Sequence, residues 1–177
     1  MTIAILATDG FEQSELTSPR DHFAQRGATV HVVSPESGSI KAWDQDDWGI
    51  SVDVDRALSD ASVEDYDALV LPGGQINPDT LRADDTVVAF IRDFASSGKP
   101  AAAICHAPWL LVEAGLANGR RLTSFKSIRT DLRNAGAEVL DEAVVVDDNL
   151  ITSRNPDDLD DFNGAIERAL KSVGAAA

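Results

Sequence analysis

Apolar residues in this chain fall into short unbroken runs separated by longer amphipathic stretches. Residues 2–7 form one such run, apolar and partly β-branched, and Ala28–Val33, Asp67–Leu71 and Ala101–Ile104 form three more. A short continuous apolar run bounded by turn residues is what a strand buried on both faces presents. Between the runs the spacing turns helical. From Gln13 to Arg26 the pattern passes through Leu16, His22 and Phe23 and is closed by Gly27. After Gln75-Ile76-Asn77-Pro78-Asp79, a second helix is predicted to carry Leu81, Val87, Val88, Phe90, Ile91 and Phe94 and to stop at Ser96-Ser97-Gly98. Shorter helices are predicted over about 107–114 and Ser127–Asn134. A C-terminal helix is expected over Leu159–Val173, with Phe162, Ile166 and Leu170 on one face and a frayed tail at 174–177. Strands alternating with helices through short turns predict an α/β fold with a mostly parallel sheet covered on both sides.

Three regions break that rhythm. Residues 34–55 read as a small antiparallel excursion ending near Ile50–Val54, with Trp43 and Trp48 expected mainly to pack it onto the body. Ala57–Glu64 reads as a short acidic helix and link. Beyond Gly119 the apolar segments shorten: Leu122–Phe125 and Glu138–Leu140 read as extended, and Val144–Val146 and Leu150–Thr152 flank Asp147-Asp148-Asn149 as a hairpin. No repeat and no dividing linker is visible, so residues 1–177 are expected to form one domain.

Composition narrows the function. Hydrophobic residues make up 44% and charged residues 25% of the 177, an ordinary globular balance. Thirty acidic residues against 15 Lys and Arg give a net charge of −15, which repels phosphate backbones and argues against nucleic acid as a direct partner. No apolar run approaches the roughly 20 residues that span a bilayer, so no membrane partner is expected. The first nine residues lack a basic stretch and read as a strand rather than a signal peptide. A single cysteine allows no internal disulfide, nothing suggests a metal site, and no cofactor motif is present; a cytoplasmic location is expected.

That cysteine, Cys105, follows the apolar run Ala101–Ile104 and precedes Ala107-Pro108, the pattern of strand, sharp turn and helix. A thiol at a helix N-terminus is expected to have a lowered pKa and to be reactive. A lone cysteine is also commonly a small buried hydrophobe, and the octapeptide alone leaves both readings open. In an open α/β sheet, sites form beyond the carboxyl ends of the parallel strands. There the first strand delivers Asp9-Gly10-Phe11-Glu12, a later one Gly73-Gly74, and the next Cys105-His106. If these adjoin, a nucleophile, an acid or base and backbone N–H donors converge. Each has a plainer role: Glu12 as a helix N-terminal residue, the glycines as a turn. Consecutive residues point different ways, which leaves contact between His106 and the thiol open. His22 and His31 read as structural.

The ordered set Asp-Gly-Phe-Glu (9–12), Leu-Pro-Gly-Gly (71–74), Ala-Ile-Cys-His-Ala-Pro (103–108) and Ser-Arg-Asn-Pro-Asp-Asp (153–158) resembles the PfpI family of intracellular cysteine peptidases. That family lies within the superfamily of the parkinsonism-associated deglycase and the class-I glutamine amidotransferases. Asn-Ala-Gly-Ala-Glu (134–138) and Val-Val-Val-Asp (144–147) strengthen the likeness, which covers about residues 2–172. The resemblance implies a flavodoxin-like three-layer α/β sandwich. It implies Cys105 as a nucleophile on a strained elbow, Glu12 as the carboxyl group touching the thiol, and an oxyanion hole from the Gly73-Gly74 segment and His106, with the N–H groups of Gly74 and His106 as donors. It further implies that Asp79 of a neighbouring subunit orients His106, hence a homodimer or higher oligomer. The implied function is stress defence by a thiol-dependent peptidase, deglycase or glyoxalase acting on small carbonyl compounds, glycated protein or peptides. The alternative is a non-catalytic redox sensor or chaperone using the same cysteine. Two positions depart from the pattern: Ala107 stands where glycine is usual, expected to crowd the elbow, and Phe125 lacks a tyrosine hydroxyl. No histidine lies near Asn155-Pro156, which argues against amidotransferase chemistry.

Overall fold

The structure, a computed structural model, describes residues 1–176, with side chains through Ser172. In chain order the elements are β1 (Thr2–Leu6), β2 (Phe11–Glu12), α1 (Gln13–Ala24), β3 (Thr29–Ser34), β4 (Ser39–Asp44), β5 (Asp47–Asp53) and β6 (Arg56–Ala57). There follow β7 (Ala68–Leu71), α2 (Ile76–Leu81), α3 (Asp85–Ser96), β8 (Ala101–Ile104) and α4 (Pro108–Glu113). The last third holds β9 (Arg121–Leu122), α5 (Arg129–Asn134), β10 (Glu138–Val139), β11 (Val144–Asp147), β12 (Leu150–Ser153) and α6 (Leu159–Ala176).

A seven-stranded sheet in the order β11-β12-β8-β7-β1-β3-β6 forms the middle layer. All its pairings are parallel except β11 with β12. Side chains of the inner strands alternate between two separate cores. Ile3 and Ile5 of β1, Val70 of β7 and Ala102 and Ile104 of β8 pack with Leu16 and Phe23 of α1 and Phe162 and Ile166 of α6. Ala4 and Leu6, Leu69 and Leu71, and Ala101 and Ala103 face Val87, Ile91 and Phe94 of α3 and Leu110 and Leu111 of α4. Two buried faces explain why these strands read as unbroken apolar runs. The result is the three-layer α/β sandwich expected.

Chain order reverses at β1, since β3 follows it on one side and β7 and β8 on the other. Ligand crevices of open α/β sheets form at such a point, beyond the carboxyl ends of the strands. Gly10, Gly73-Gly74 and Cys105 leave the sheet there.

Some expected elements differ. The excursion is a three-stranded sheet in which β4 and β5 are antiparallel but β2 joins β4 in parallel. Residues 57–64 are not a helix: β6 pairs in parallel beside β3 and gives way to two single 3₁₀ turns. The helix expected after Gln75 is two helices, because Asp84 caps a fresh start at α3 by accepting the Thr86 N–H at 2.8 Å. Leu122–Phe125 supplies only the two-residue β9, paired with β10. The hairpin at 144–153 is present, with Asp148 at φ +52° at its turn. Helix α6 runs through Ala176, where a frayed tail was expected, and Ala177 lies outside the described residues.

Candidate active site

The turn after β8 sets the position of the thiol. Cys105 has φ +65°, in the left-handed region, while Ala107 is already helical at φ −59° and Pro108 begins α4. A non-glycine residue there costs on the order of 1–2 kcal/mol. The strain is held from both sides: the Cys105 N–H donates to Ser153 O of β12 at 3.1 Å, and Phe125 N–H donates to Cys105 O at 2.9 Å.

The carboxyl group against the thiol belongs to Glu15, not to Glu12. Glu15 is completely buried on the inward stripe of α1 with Pro19 and Phe23. Its Oε2 accepts the Gly73 N–H at 2.7 Å. Gly73 has to be glycine, because a Cβ there would lie 2.6 Å from Glu15 Oε2 and 2.7 Å from Cys105 Cβ. Glu12 instead caps α1, with Oε2 accepting both the Glu15 N–H at 2.9 Å and the Ser14 hydroxyl. The helix start therefore consumes the carboxylate that the sequence placed on the thiol. Gly74, at φ +79°, turns its N–H toward the Cys105 sulfur, as does His106. Buried Asn77, unforeseen from sequence, locks this loop. It donates to Pro72 O at 2.9 Å and Gly73 O at 3.2 Å and accepts Thr8 N–H at 2.8 Å.

His106 does reach the thiol: its Nδ1 lies 3.2 Å from Cys105 Sγ. Its Nε2 is 3.1 Å from Ser127 Oγ. The ring stacks on Phe125 at 4.8 Å between centroids and meets the Trp109 ring edgewise. Trp109 is fixed in turn by Asp131, which accepts its indole N–H, and by the Arg82 guanidinium over its face. Asp79 is exposed on α2 and pairs with Arg82 just beyond the end of that helix, and within the chain the ring nitrogens of His106 lie against Cys105 and Ser127. His22 pairs with Glu167 and His31 packs against Tyr66.

Burial governs the protonation states. It pushes Glu15 up to about 8, helped by the charge of Glu12 and opposed by the Gly73 N–H. The Cys105 thiol is also pushed well up, by burial and then by Glu15, although the Gly74 and His106 N–H groups pull it down. This reverses the expected depression. Helix α4 has only six residues, and its field does not offset the loss of water around the sulfur. Burial lowers His106 below the usual imidazole value. At neutral pH Glu15 and Cys105 thus carry protons and His106 is uncharged.

These groups form the floor of a cavity of about 400 Å³. Trp43, Ile76, Phe125 and Pro156 wall it, and Gln45 stands at its rim in the β4–β5 turn. Trp43 is thus a pocket residue as well as the edge-to-face partner of exposed Trp48. Ala107 is fully buried among α4 residues and does not line the cavity, so its methyl group does not crowd the elbow.

The sequence profile of the DJ-1/PfpI family matches residues 1–169. The chain belongs to the DJ-1/PfpI family. It is 47% identical over 174 residues to a protein of Escherichia coli strain K12 named protein/nucleic acid deglycase 2, covering 98% of each chain. It is 44% identical over 162 residues to general stress protein 18 of Bacillus subtilis strain 168, covering 91% of this chain and 92% of that one. Among solved structures, it superposes with a TM-score of 0.89 and 38% identity on a two-domain protein of Anabaena variabilis with DJ-1/ThiJ/PfpI-like and ferritin-like domains. That match covers 98% of this chain but 48% of the other, so this chain spans about half of it. The family thus includes proteins named for deglycase activity and for stress. Among the described residues no helix is long and apolar enough to cross a membrane.

Proposed function

We propose that this member of the DJ-1/PfpI family is a thiol-dependent hydrolase of the deglycase type, which removes small carbonyl adducts from amines and thiols. The observation that carries this reading is Cys105 on its left-handed elbow with His106 Nδ1 at 3.2 Å and a buried, protonated Glu15 beside it. The deglycase name of the Escherichia coli relative supports it.

In the first step His106 Nδ1 takes the thiol proton as Sγ attacks the adduct's carbonyl carbon. A C–S bond forms, the C=O π pair moves to oxygen, and Glu15 supplies the proton that neutralises it. The Gly74 and His106 N–H groups stabilise the charge that develops on the sulfur as its proton leaves. The hydrogen of the carbinolamine carbon then shifts with its electron pair to the attacked carbon and expels Sγ, which regains its proton from His106 while the carbinolamine hydroxyl returns one to Glu15; one water then cleaves the resulting 2-hydroxy amide to the free amine and a 2-hydroxy acid. No external oxidant is needed, because the carbonyl carbon is reduced as the neighbouring carbinolamine carbon is oxidised. Release of free amine from methylglyoxal-treated Nα-acetylarginine or Nα-acetyllysine tests the proposal. Wild type is expected to release it and Cys105→Ala not; equal rates in the two would overturn the assignment.

Assembly belongs to the same proposal. A second copy bringing Asp79 to the exposed side of the His106–Ser127 pair would hold the imidazole from outside. Light scattering gives the oligomeric state. An Asp79→Ala protein as active as wild type, or an active monomer, would remove Asp79 from the site.

A second reading, a redox sensor or chaperone, draws on the protonated Glu15 and the two N–H groups, which would hold the oxygens of a sulfinate at Cys105. The raised thiol pKa counts against it, since the thiolate is the form that peroxide attacks. Mass spectrometry after mild peroxide treatment separates the two readings.

A further inference from the structure

The cavity over Cys105 contains a carboxylate with no counter-charge. Four titratable side chains line it, Glu12, Glu15, Cys105 and His106, and no lysine or arginine does. The Ser14 hydroxyl and the Glu15 N–H both donate to Glu12 Oε2, and Glu12 lines the cavity. These bonds hold the carboxylate through Oε2, so the group stays at the cavity rather than swinging away. The opposing surfaces, Trp43, Ile76, Phe125 and Pro156, are apolar, and little there screens a charge brought next to Glu12. Glu15 and His106, one neutral by retained proton and the other by its absence, add no charge at pH 7.

We propose that Glu12 selects substrates by charge, admitting carbonyl compounds that carry an ammonium or guanidinium group next to the reacting carbon and turning away anionic ones. The inference rests on the proposed role of Cys105 as the reacting thiol. It makes Glu12 a specificity residue in addition to a helix cap. A cap alone would affect helix stability and leave charge preference untouched.

Two measurements separate these roles. The first is the rate at which Cys105 is modified by 2-aminoethyl methanethiosulfonate, a cation, against 2-sulfonatoethyl methanethiosulfonate, an anion of similar size. Wild type is expected to favour the cation, and Glu12→Gln to reduce that preference about tenfold. Glu12→Asp, which keeps both the charge and a capping oxygen, is expected to retain most of it. The negative charge of the rest of the chain is common to all three proteins and cancels in the comparison. The second measurement is turnover of methylglyoxal hemithioacetals of thiocholine, 2-mercaptoethanol and 3-mercaptopropionate, which differ in charge beside one reacting carbon. The expected order of kcat/KM is cation, neutral, anion, flattened by Glu12→Gln. A modification ratio unchanged in Glu12→Gln overturns the role of Glu12 whatever the turnover. Absence of turnover with all three compounds overturns the hydrolase reading, while the modification ratio still decides on Glu12.

Discussion

The Gly73 N–H donates to Glu15 Oε2 at 2.7 Å across 58 residues of chain. This bond joins the loop after β7 to the first turn of α1 and aims the carboxyl group at Cys105. Among the described residues it is the one hydrogen bond that fixes the Glu15 carboxyl group, whose Oε1 is buried without a partner.

Glu15 makes folding stability fall as pH rises. Its folded pKa is about 8 against an ordinary 4.5, so the folded state holds the proton more tightly than the unfolded chain. The contribution is complete below about pH 4.5 and is lost progressively as pH rises through 8. At most about 1.4 kcal/mol disappears per pH unit for one proton. Urea denaturation of wild type and Glu15→Gln between pH 5 and 8 is expected to show a falling midpoint in wild type that is flattened in the variant. Parallel pH profiles would show that Glu15 ionises normally.

In the proposed mechanism Ser127 is expected to set the working tautomer of His106. With the imidazole proton on Nε2 and directed to Ser127 Oγ at 3.1 Å, Nδ1 is left as a base toward the sulfur. Ser127→Ala is expected to lower kcat about tenfold with little change in KM, and Ser127→Thr to restore most of it. Nitrogen NMR of the imidazole reads the tautomer directly; the same tautomer and the same kcat in Ser127→Ala would exclude this role.

Ala107 is a packing residue. Ala107→Gly is expected to leave kcat/KM within about twofold of wild type and to cost about 1 kcal/mol, from backbone entropy and a lost buried methyl group. Steady-state kinetics and thermal melting check the two halves of this expectation. A large gain in activity would mean that the methyl group does restrict the site.

The sheet was legible because β1, β7 and β8 are buried on both faces and have no choice but to be apolar. Cys105, His106 and the Gly73-Gly74 pair were legible because a strand-end turn leaves few alternatives for residues of those types. Glu15 was not, because the Asp-Gly-Phe-Glu motif drew attention to the carboxylate nearest the turn. The signal lay one turn later: Glu15, Pro19 and Phe23 recur every four residues on one helical face, and a charged residue on an otherwise buried stripe needs a partner. Ser127 and Trp109 gave no signal, since their contacts with His106 depend on how α4 and the loop before α5 meet in space. The break between α2 and α3 was written in Asp84, but apolar spacing continues smoothly across it.

Under the proposed role of Cys105 as nucleophile, its raised pKa means a thiol that rests with its proton on. Peroxides and other soft electrophiles consume thiolates, and a buried sulfur that keeps its proton offers them little to attack. Such a protein would pass through an oxidant burst with its cysteine intact. Its reactivity would be released only when a bound molecule completes the proton transfer to His106, one catalytic event at a time.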